Sequence, residues 1–408
     1  MIPWRWVRIE VATVDGRSTL EAVEPAMKLT VLDEGIIWKN PHPSARSQVA
    51  WHGHTENLGG GELLHAMRIG QAKASRDGRV RIFRSKDHGK TWAETTPLIV
   101  SDGEDPRSSY FTAIPRRTRD GSVWATSIRM MMADPEDPGY TPENGGWLSA
   151  ESFVCRSTDR GHTWSAPRIL KPKDPPGGFQ NVATGVIELD TGELMILFEP
   201  ALSESLQKLR HEVVALYSRD QGRTWGDQTL VARDPKDELV YFDPRLTRLA
   251  DGRLVCVFWT HEKQTDKTLN TTVAWSEDGH RWSKPAPTAL WGFPTLPLTL
   301  SDGRLFAVYN YRRNPQGIRC TVSEDGGRTW RMDREHFLWD QQLRRVTGEL
   351  ASAGQERKWE VSCLTEMSTW DFGVPDPTLL DDGSVLITFY ATEMDHITHQ
   401  RYVRIKID

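Results

Sequence analysis

The stretch Ser85-Lys86-Asp87-His88-Gly89-Lys90-Thr91-Trp92, SKDHGKTW, decides the fold because it does not occur only once. It returns as STDRGHTW from Ser157 and as SRDQGRTW from Ser218. A version one residue shorter, SEDGHRW, starts at Ser276, and SEDGGRTW starts at Ser323. The starts lie 72, 61, 58 and 47 residues apart. Such intervals suit a repeating unit of several strands and are too long for a one-helix or one-strand repeat.

A second signal alternates strictly with the first. Gly60-Gly61, Asp120-Gly121, Thr191-Gly192, Asp251-Gly252, Asp302-Gly303 and Asp382-Gly383 each precede a β-rich run such as Arg253–Trp259. A Gly-containing pair between such runs is a hairpin signal, because tight hairpins demand positive φ. The unit is then four antiparallel strands. Strands 1 and 2 meet at the Asp-Gly turn, and strands 3 and 4 at SxDxGxTW. Six units of about 60 residues predict an all-β protein, a six-bladed β-propeller of four-stranded antiparallel blades closed radially. The sixth unit lacks its SxDxGxTW copy and runs out after strand 2 (Val385 to Tyr390) and strand 3 (Arg401 to Ile407). The missing strand is expected from the N-terminal run Trp4 to Val11, closing the last blade.

Residues 1–408 are accordingly expected to form one propeller domain with three lid insertions, around 130–148, 200–210 and 339–372. The last contains WDQQLRRVTGELASAG, expected to form a short helix. In an up-down-up-down blade the 2→3 and 4→1 connections share one face, so all three insertions fall there and the repeated turns on the other. Long loops gathered on one face of a rigid scaffold are where binding and chemistry are built.

Composition excludes several roles. The net charge is −5 and the pI about 6.2, with no long basic run, which argues against nucleic acid as a partner. No 18-residue apolar run is present, which argues against a membrane partner. The N-terminal MIPWRWVRIEV is too short and too charged for a secretory leader, so a cytoplasmic location is expected. Cys155, Cys256, Cys320 and Cys363 show no CxxC or metal-ligand spacing, and three lie in apolar runs that suit buried thiols. No HExxH or EF-hand loop is present, so neither metal nor cofactor is expected. Nothing in the sequence specifies an oligomeric state.

The repeated SxDxGxTW in six-bladed register resembles the Asp boxes of the sialidase (neuraminidase) superfamily, over nearly the whole chain. The repeated Asp87, Asp159, Asp220, Asp278 and Asp325 would lie around the rim of the face opposite the insertions, far from one another. Their work is local: Ser and Asp bond the turn backbone, and Trp packs between sheets.

Site candidates come from the other ends of the strands. Counting eight residues back from the hairpin turns of units 1, 2, 4, 5 and 6 gives His52, Thr112, Asp243, Pro294 and Val374. Counting seven to ten forward from the turn Gly gives Arg68, Arg129, Glu199, His261-Glu262, Arg312 and Glu393. Polar residues at these places in several blades suit a polar central pocket.

The family resemblance implies a small carbohydrate substrate, three carboxylate-binding arginines, an acid/base Asp, and a nucleophilic Tyr paired with Glu. Arginine suits carboxylates because its fork makes bidentate charge-assisted bonds. Arg46 in ARSQVAW resembles the first arginine, with Gln48 where Pro is usual. Asp77 resembles the acid/base Asp, and Asp243 falls in the slot of the Glu. The chain departs from the pattern elsewhere. Phe372-Gly373-Val374-Pro375-Asp376-Pro377 holds no Tyr, and Asn270-Thr271-Thr272 replaces the second arginine. The third matches Arg312 or Arg319. Tyr241 and Tyr311 fall near the pocket without matching the motif.

Without the Tyr, glycoside cleavage needs two carboxyl groups flanking the bond, or a His as acid or base. The expected catalytic residues are Asp77, Asp243, His52 and Glu199. Arg46, Arg68, Arg129, Arg245, Arg312, His261 and Glu262 are expected to bind the substrate. The reading is a sialidase-like glycoside hydrolase acting on a small anionic or polar glycoside. A lyase on uronic-acid glycans and a non-catalytic carbohydrate-binding propeller stand as alternatives.

Overall fold

A computed structural model describes residues 13–14, 17–18, 27–41, 49–70, 77–98, 108–131, 140–141, 146–147, 150–173, 180–200, 211–351, 371–394 and 397–408. Six antiparallel sheets form a ring, each with a core of four strands. From inner to outer strand, blade 1 is Val49–Gly59, Glu62–Gly70, Arg79–Ser85 and Ala93–Glu94. Blade 2 is Ser108–Arg117, Val123–Met131, Ala150–Ser157 and Arg168–Leu170. Blade 3 is Gln180–Val182, Leu194–Pro200, Val213–Ser218 and Gly226–Ala232. Blade 4 is Leu239–Arg248, Leu254–Glu262, Thr272–Ser276 and Ala286–Pro287. Blade 5 is Thr295–Thr299, Leu305–Tyr311, Gly317–Ser323 and His336–Asp340. Blade 6 is Phe372–Leu379, Val385–Thr392, Thr398–Ile407 and Leu29–Trp38.

The six-bladed propeller read from the repeats is thus the observed fold, and an N-terminal strand closes blade 6. The closing strand, however, is Leu29–Trp38, which pairs with Thr398–Ile407. It was not expected there because Asp33-Glu34-Gly35 interrupts its apolar pattern and two register shifts break its alternation. Trp4 to Val11, the run expected to close the ring, lies outside the described residues.

The expected helix near residue 340 is also corrected. Trp339 is fully buried in the outer strand of blade 5, and Arg345–Val346 folds back on it as a hairpin. Asp340 causes the reversal: its Oδ1 accepts the N–H groups of Gln342 and Leu343, at 2.8 and 2.9 Å, which competes with helical bonding. The third insertion therefore starts later than Trp339. Residues 132–139, 142–145, 148–149, 201–210 and 352–370 of the three insertions lie outside the described set.

Each main hydrophobic cluster lies between adjacent blades. Phe306 of blade 5 meets Phe389 of blade 6, and Tyr217 of blade 3 meets Phe258 of blade 4. Fully burying one such side chain stabilises by roughly 1.5–3 kcal/mol, so the ring is held radially as much as within each sheet. Cys155, Cys256 and Cys320 belong to these cores as free, buried thiols, and burial pushes Cys155 up to about 12.

The SxDxGxTW turns are stapled locally. In the first, Ser85 Oγ donates to Asp87 Oδ1 at 2.8 Å and Thr91 Oγ1 to Asp87 Oδ2 at 2.6 Å, while Ser85 Oγ accepts the Gly89 N–H at 2.9 Å. The same Ser, Asp and Thr pattern recurs at Asp159, Asp220 and Asp325. Each turn also packs on the preceding blade. A Cβ at Gly161 of blade 2 would stand 3.1 Å from Leu64 of blade 1.

Candidate active site

Inner strands from all six blades line a channel on the ring axis. His54, Arg116, Thr184, Arg245, Pro297 and Asp376 contribute one wall position per blade. Near the insertion face, four of these strands carry an extra residue relative to their partners. The register shifts fall between Trp51 and His54, Tyr110 and Ala113, Phe242 and Arg245, and Gly373 and Asp376. A β-bulge bends its strand and re-aims a side chain, and such features recur beside functional sites. Asp243 is held at φ 47° in its bulge, a conformation Asp tolerates better than most residues.

This bulge brings three of the expected residues together. The Asp243 backbone N–H donates to Glu199 Oε2 at 2.5 Å. Arg245 Nη2 donates to Asp243 Oδ1 at 2.9 Å, and Arg245 Nη1 to the Ala183 carbonyl at 2.6 Å. Burial, reinforced by the neighbouring Asp243 carboxylate, pushes Glu199 up to about 8. At neutral pH Glu199 is therefore mostly a carboxylic acid. Its Oε2 is occupied as an acceptor, which leaves Oε1 to carry the proton.

Opposite, blades 1 and 6 meet in a buried polar knot that the counting missed. His54 Nδ1 stands 3.0 Å from Asp376 Oδ1, and the Thr55 N–H donates to Asp376 Oδ2 at 2.8 Å. Thr55 Oγ1 reaches His65 Nδ1 at 2.9 Å. Burial works to raise the Asp376 carboxyl, but His54, Arg116 and the Thr55 N–H outweigh it and hold the group below its usual range. Burial lowers His54 despite Asp376, and it pushes Glu56 up to about 7 against the pull of Arg116. The counting stopped two residues short: His54 follows the expected His52 and Asp376 follows Val374, each across a β-bulge whose extra residue breaks the alternation that counting relies on.

The remaining candidates are dispersed. Asp77 sits where the chain enters the third strand of blade 1 and counters the charge of Arg68. Arg68 is fully buried, donates to the Tyr110 carbonyl at 2.9 Å, and is lowered by burial to about 10. Arg129 is paired across strands with Glu151, whose hydrogen bond raises it. Arg312 is buried and donates to the Phe372 carbonyl at 2.5 Å. His261 is fully buried, with Nε2 3.0 Å from Asp266. Glu262, at the end of the same strand, accepts the Thr265 hydroxyl. His52 lies in the blade 1 bulge; its side chain and all of Arg46 lie outside the described residues. Tyr241 belongs to a hydrophobic core, and burial pushes it up to about 12; Tyr311 packs under Arg319. Among the described residues no group of three or more His, Cys, Asp or Glu is arranged to hold a metal ion.

A ring of six blades, five of them carrying the repeated turn, around a polar axial channel defines the class: an Asp-box β-propeller. The chain belongs to the BNR repeat-like domain family, whose model matches residues 139–389. No curated protein matches the sequence. Among solved structures, a protein of unknown function from Dyadobacter fermentans aligns over 93% of this chain and 99% of its own, with 20% identity and a TM-score of 0.66. A Hadza microbial sialidase aligns at 16% identity and TM-score 0.60, covering 87% of this chain and 65% of the longer sialidase. An α-L-arabinanase of Penicillium chrysogenum, complexed with arabinobiose, aligns at 14% identity and TM-score 0.60, covering 93% of this chain and 98% of its own. At these identities the likeness is one of fold.

Proposed function

We propose that this protein is a glycoside hydrolase acting on an anionic or otherwise polar glycoside, with Glu199 and Asp243 as its reacting pair. The observation that carries the reading is a carboxyl raised to about 8 by burial beside a second carboxylate: Glu199 accepts the Asp243 backbone N–H, and the Asp243 carboxylate is held by Arg245, which lines the axial channel. Glu199, raised by burial, suits the acid half of a carboxyl pair, and Asp243, bound by Arg245, the other. Glu199 donates its proton to the glycosidic oxygen as the bond to the anomeric carbon breaks. Asp243 presents negative charge to the oxocarbenium-like centre that develops; water then adds to the anomeric carbon and gives up a proton that restores the acid form of Glu199. Arg245 acts through Asp243: its two donors fix the carboxylate and the neighbouring blade together. The sialidase and the arabinanase among the similar structures agree with sugar chemistry on this scaffold.

The lyase alternative needs an accessible imidazole; of its two candidates, His52 and His261, the side chain of His52 lies outside the described residues and His261 is buried beside Asp266. A panel of fluorogenic sialosides, glucuronides and arabinofuranosides, run beside an ultraviolet assay for unsaturated product, tests the proposal. Glu199→Gln and Asp243→Asn should each lower turnover roughly 10²–10⁴-fold, the usual worth of a positioned acid or base. Turnover intact in either variant would remove that residue from the assignment.

A further inference from the structure

Three consecutive-looking arginines of blade 5 have different fates. Arg312 is committed to the Phe372 carbonyl, and Arg319 to Glu335 and the Pro315 carbonyl. Arg313 is not: among the described residues it makes no hydrogen bond or ion pair, and its guanidinium lies over the Trp291 ring, 4.1 Å from the centroid. Both residues are only half-buried. Trp291 sits in the connection entering the inner strand of blade 5, and Arg313 in the connection leaving its second strand, so both open on the insertion face.

The indole is fixed in place. Its N–H donates to the Thr268 carbonyl at 3.2 Å, and Phe293 and Tyr311 pack edge-on against it, each at 5.5 Å. From Phe293 the contacts continue to Trp259 at 4.8 Å and then to Phe242 at 5.2 Å, the residue before Asp243. A rigid aromatic chain thus connects the carboxyl pair to an outlying edge where a cation waits with its five donors uncommitted.

We propose that Trp291 and Arg313 form a second sugar subsite, which receives an acidic ring of an oligosaccharide away from the bond being cleaved. This rests on the glycosidase reading above. Stacking holds the guanidinium flat, so little further ordering is needed when a carboxylate docks on its fork. The apolar face of a sugar ring finds the aromatic edge beside it. The subsite is remote from the reacting carboxyls, and it makes the substrate an acidic oligosaccharide rather than a simple monoglycoside.

The test uses the full chain carrying Glu199→Gln, so that bound sugar is not cleaved. Binding is followed by tryptophan fluorescence and calorimetry with oligosaccharides ending in sialic or uronic acid, and with the same compounds reduced at the carboxyl. Adding Arg313→Ala should weaken the acidic compounds about tenfold, the loss of one charge-assisted contact, and leave the reduced ones unchanged. Adding Trp291→Ala should weaken both sets, and Arg313→Lys should restore part of the acid preference. The proposal falls if Arg313→Ala binds the acidic compounds as its parent does, or if no acidic compound binds better than its reduced counterpart. Arginine-dependent binding without turnover by the native protein would keep the subsite and sink the hydrolase. Turnover without any effect of Arg313 would do the reverse.

Discussion

The two faces of the ring hold carboxyl groups in opposite states. On the repeat face, burial works to raise Asp87 and Asp325, yet hydrogen bonds from Ser, Thr and the turn backbone outweigh it and hold both below the usual carboxylate range. On the insertion face, burial and the neighbouring Asp243 carboxylate raise Glu199 to about 8 against the pull of Arg245 and one backbone N–H. Three or more donors stabilise an anion; enclosure beside another carboxylate stabilises the acid. The repeated side chains build turns, and the unrepeated Glu199 is left with a proton to give.

Substitution should separate the faces most sharply. Asp325→Ala should leave the catalytic constants of folded protein unchanged while costing about 1–3 kcal/mol of stability through lost turn hydrogen bonds. Denaturant melts set beside turnover would show the opposite pattern for Glu199→Gln. A shared loss of turnover in Asp325→Ala would erase the distinction between the faces.

Proton linkage gives a finer test. Because Glu199 is raised in the folded state from an ordinary value of 4.5 to about 8, it adds stability at low pH that is lost as pH rises towards and through 8. Turnover that needs the acid form should fall across the same range. The wild type should therefore lose stability relative to Glu199→Gln between pH 5 and 9, and melts of the two proteins over that range would show it. Equal slopes would mean that Glu199 titrates as an ordinary carboxylate. Removing residues 1–38 takes away the outer strand of blade 6 and should abolish cooperative unfolding.

The fold was legible because its signals are local and repeated. A turn of eight residues and a Gly hairpin each carry their own geometry, and five and six copies respectively make the blade count. The closing strand was not legible, because Leu29–Trp38 is an edge strand of mixed pattern with two irregularities. Counting from the hairpins reached Asp243 in its inner-strand bulge and Glu199 near the far end of a second strand, since both strands keep their length from the turn. The arginines defeated it for a different reason. Arg68, Arg245 and Arg312 bond carbonyls 42, 62 and 60 residues away, so a side chain that looks free in sequence is already engaged in the ring. His54 and Asp376, 322 residues apart, were hidden by the same distance.

That last separation has a consequence for how the molecule is made. Blades 1 to 5 are each assembled from neighbouring chain, but blade 6 joins Leu29–Trp38 to Thr398–Ile407, and the knot under it joins Thr55 to Asp376. During synthesis the first of these partners must wait, unpaired, until nearly all of the remaining chain has emerged. Loop closure over such a span is slow, and the open arc meanwhile presents two raw sheet edges. The seam is therefore the step at which this protein is most exposed to chaperones and to pairing with a second copy.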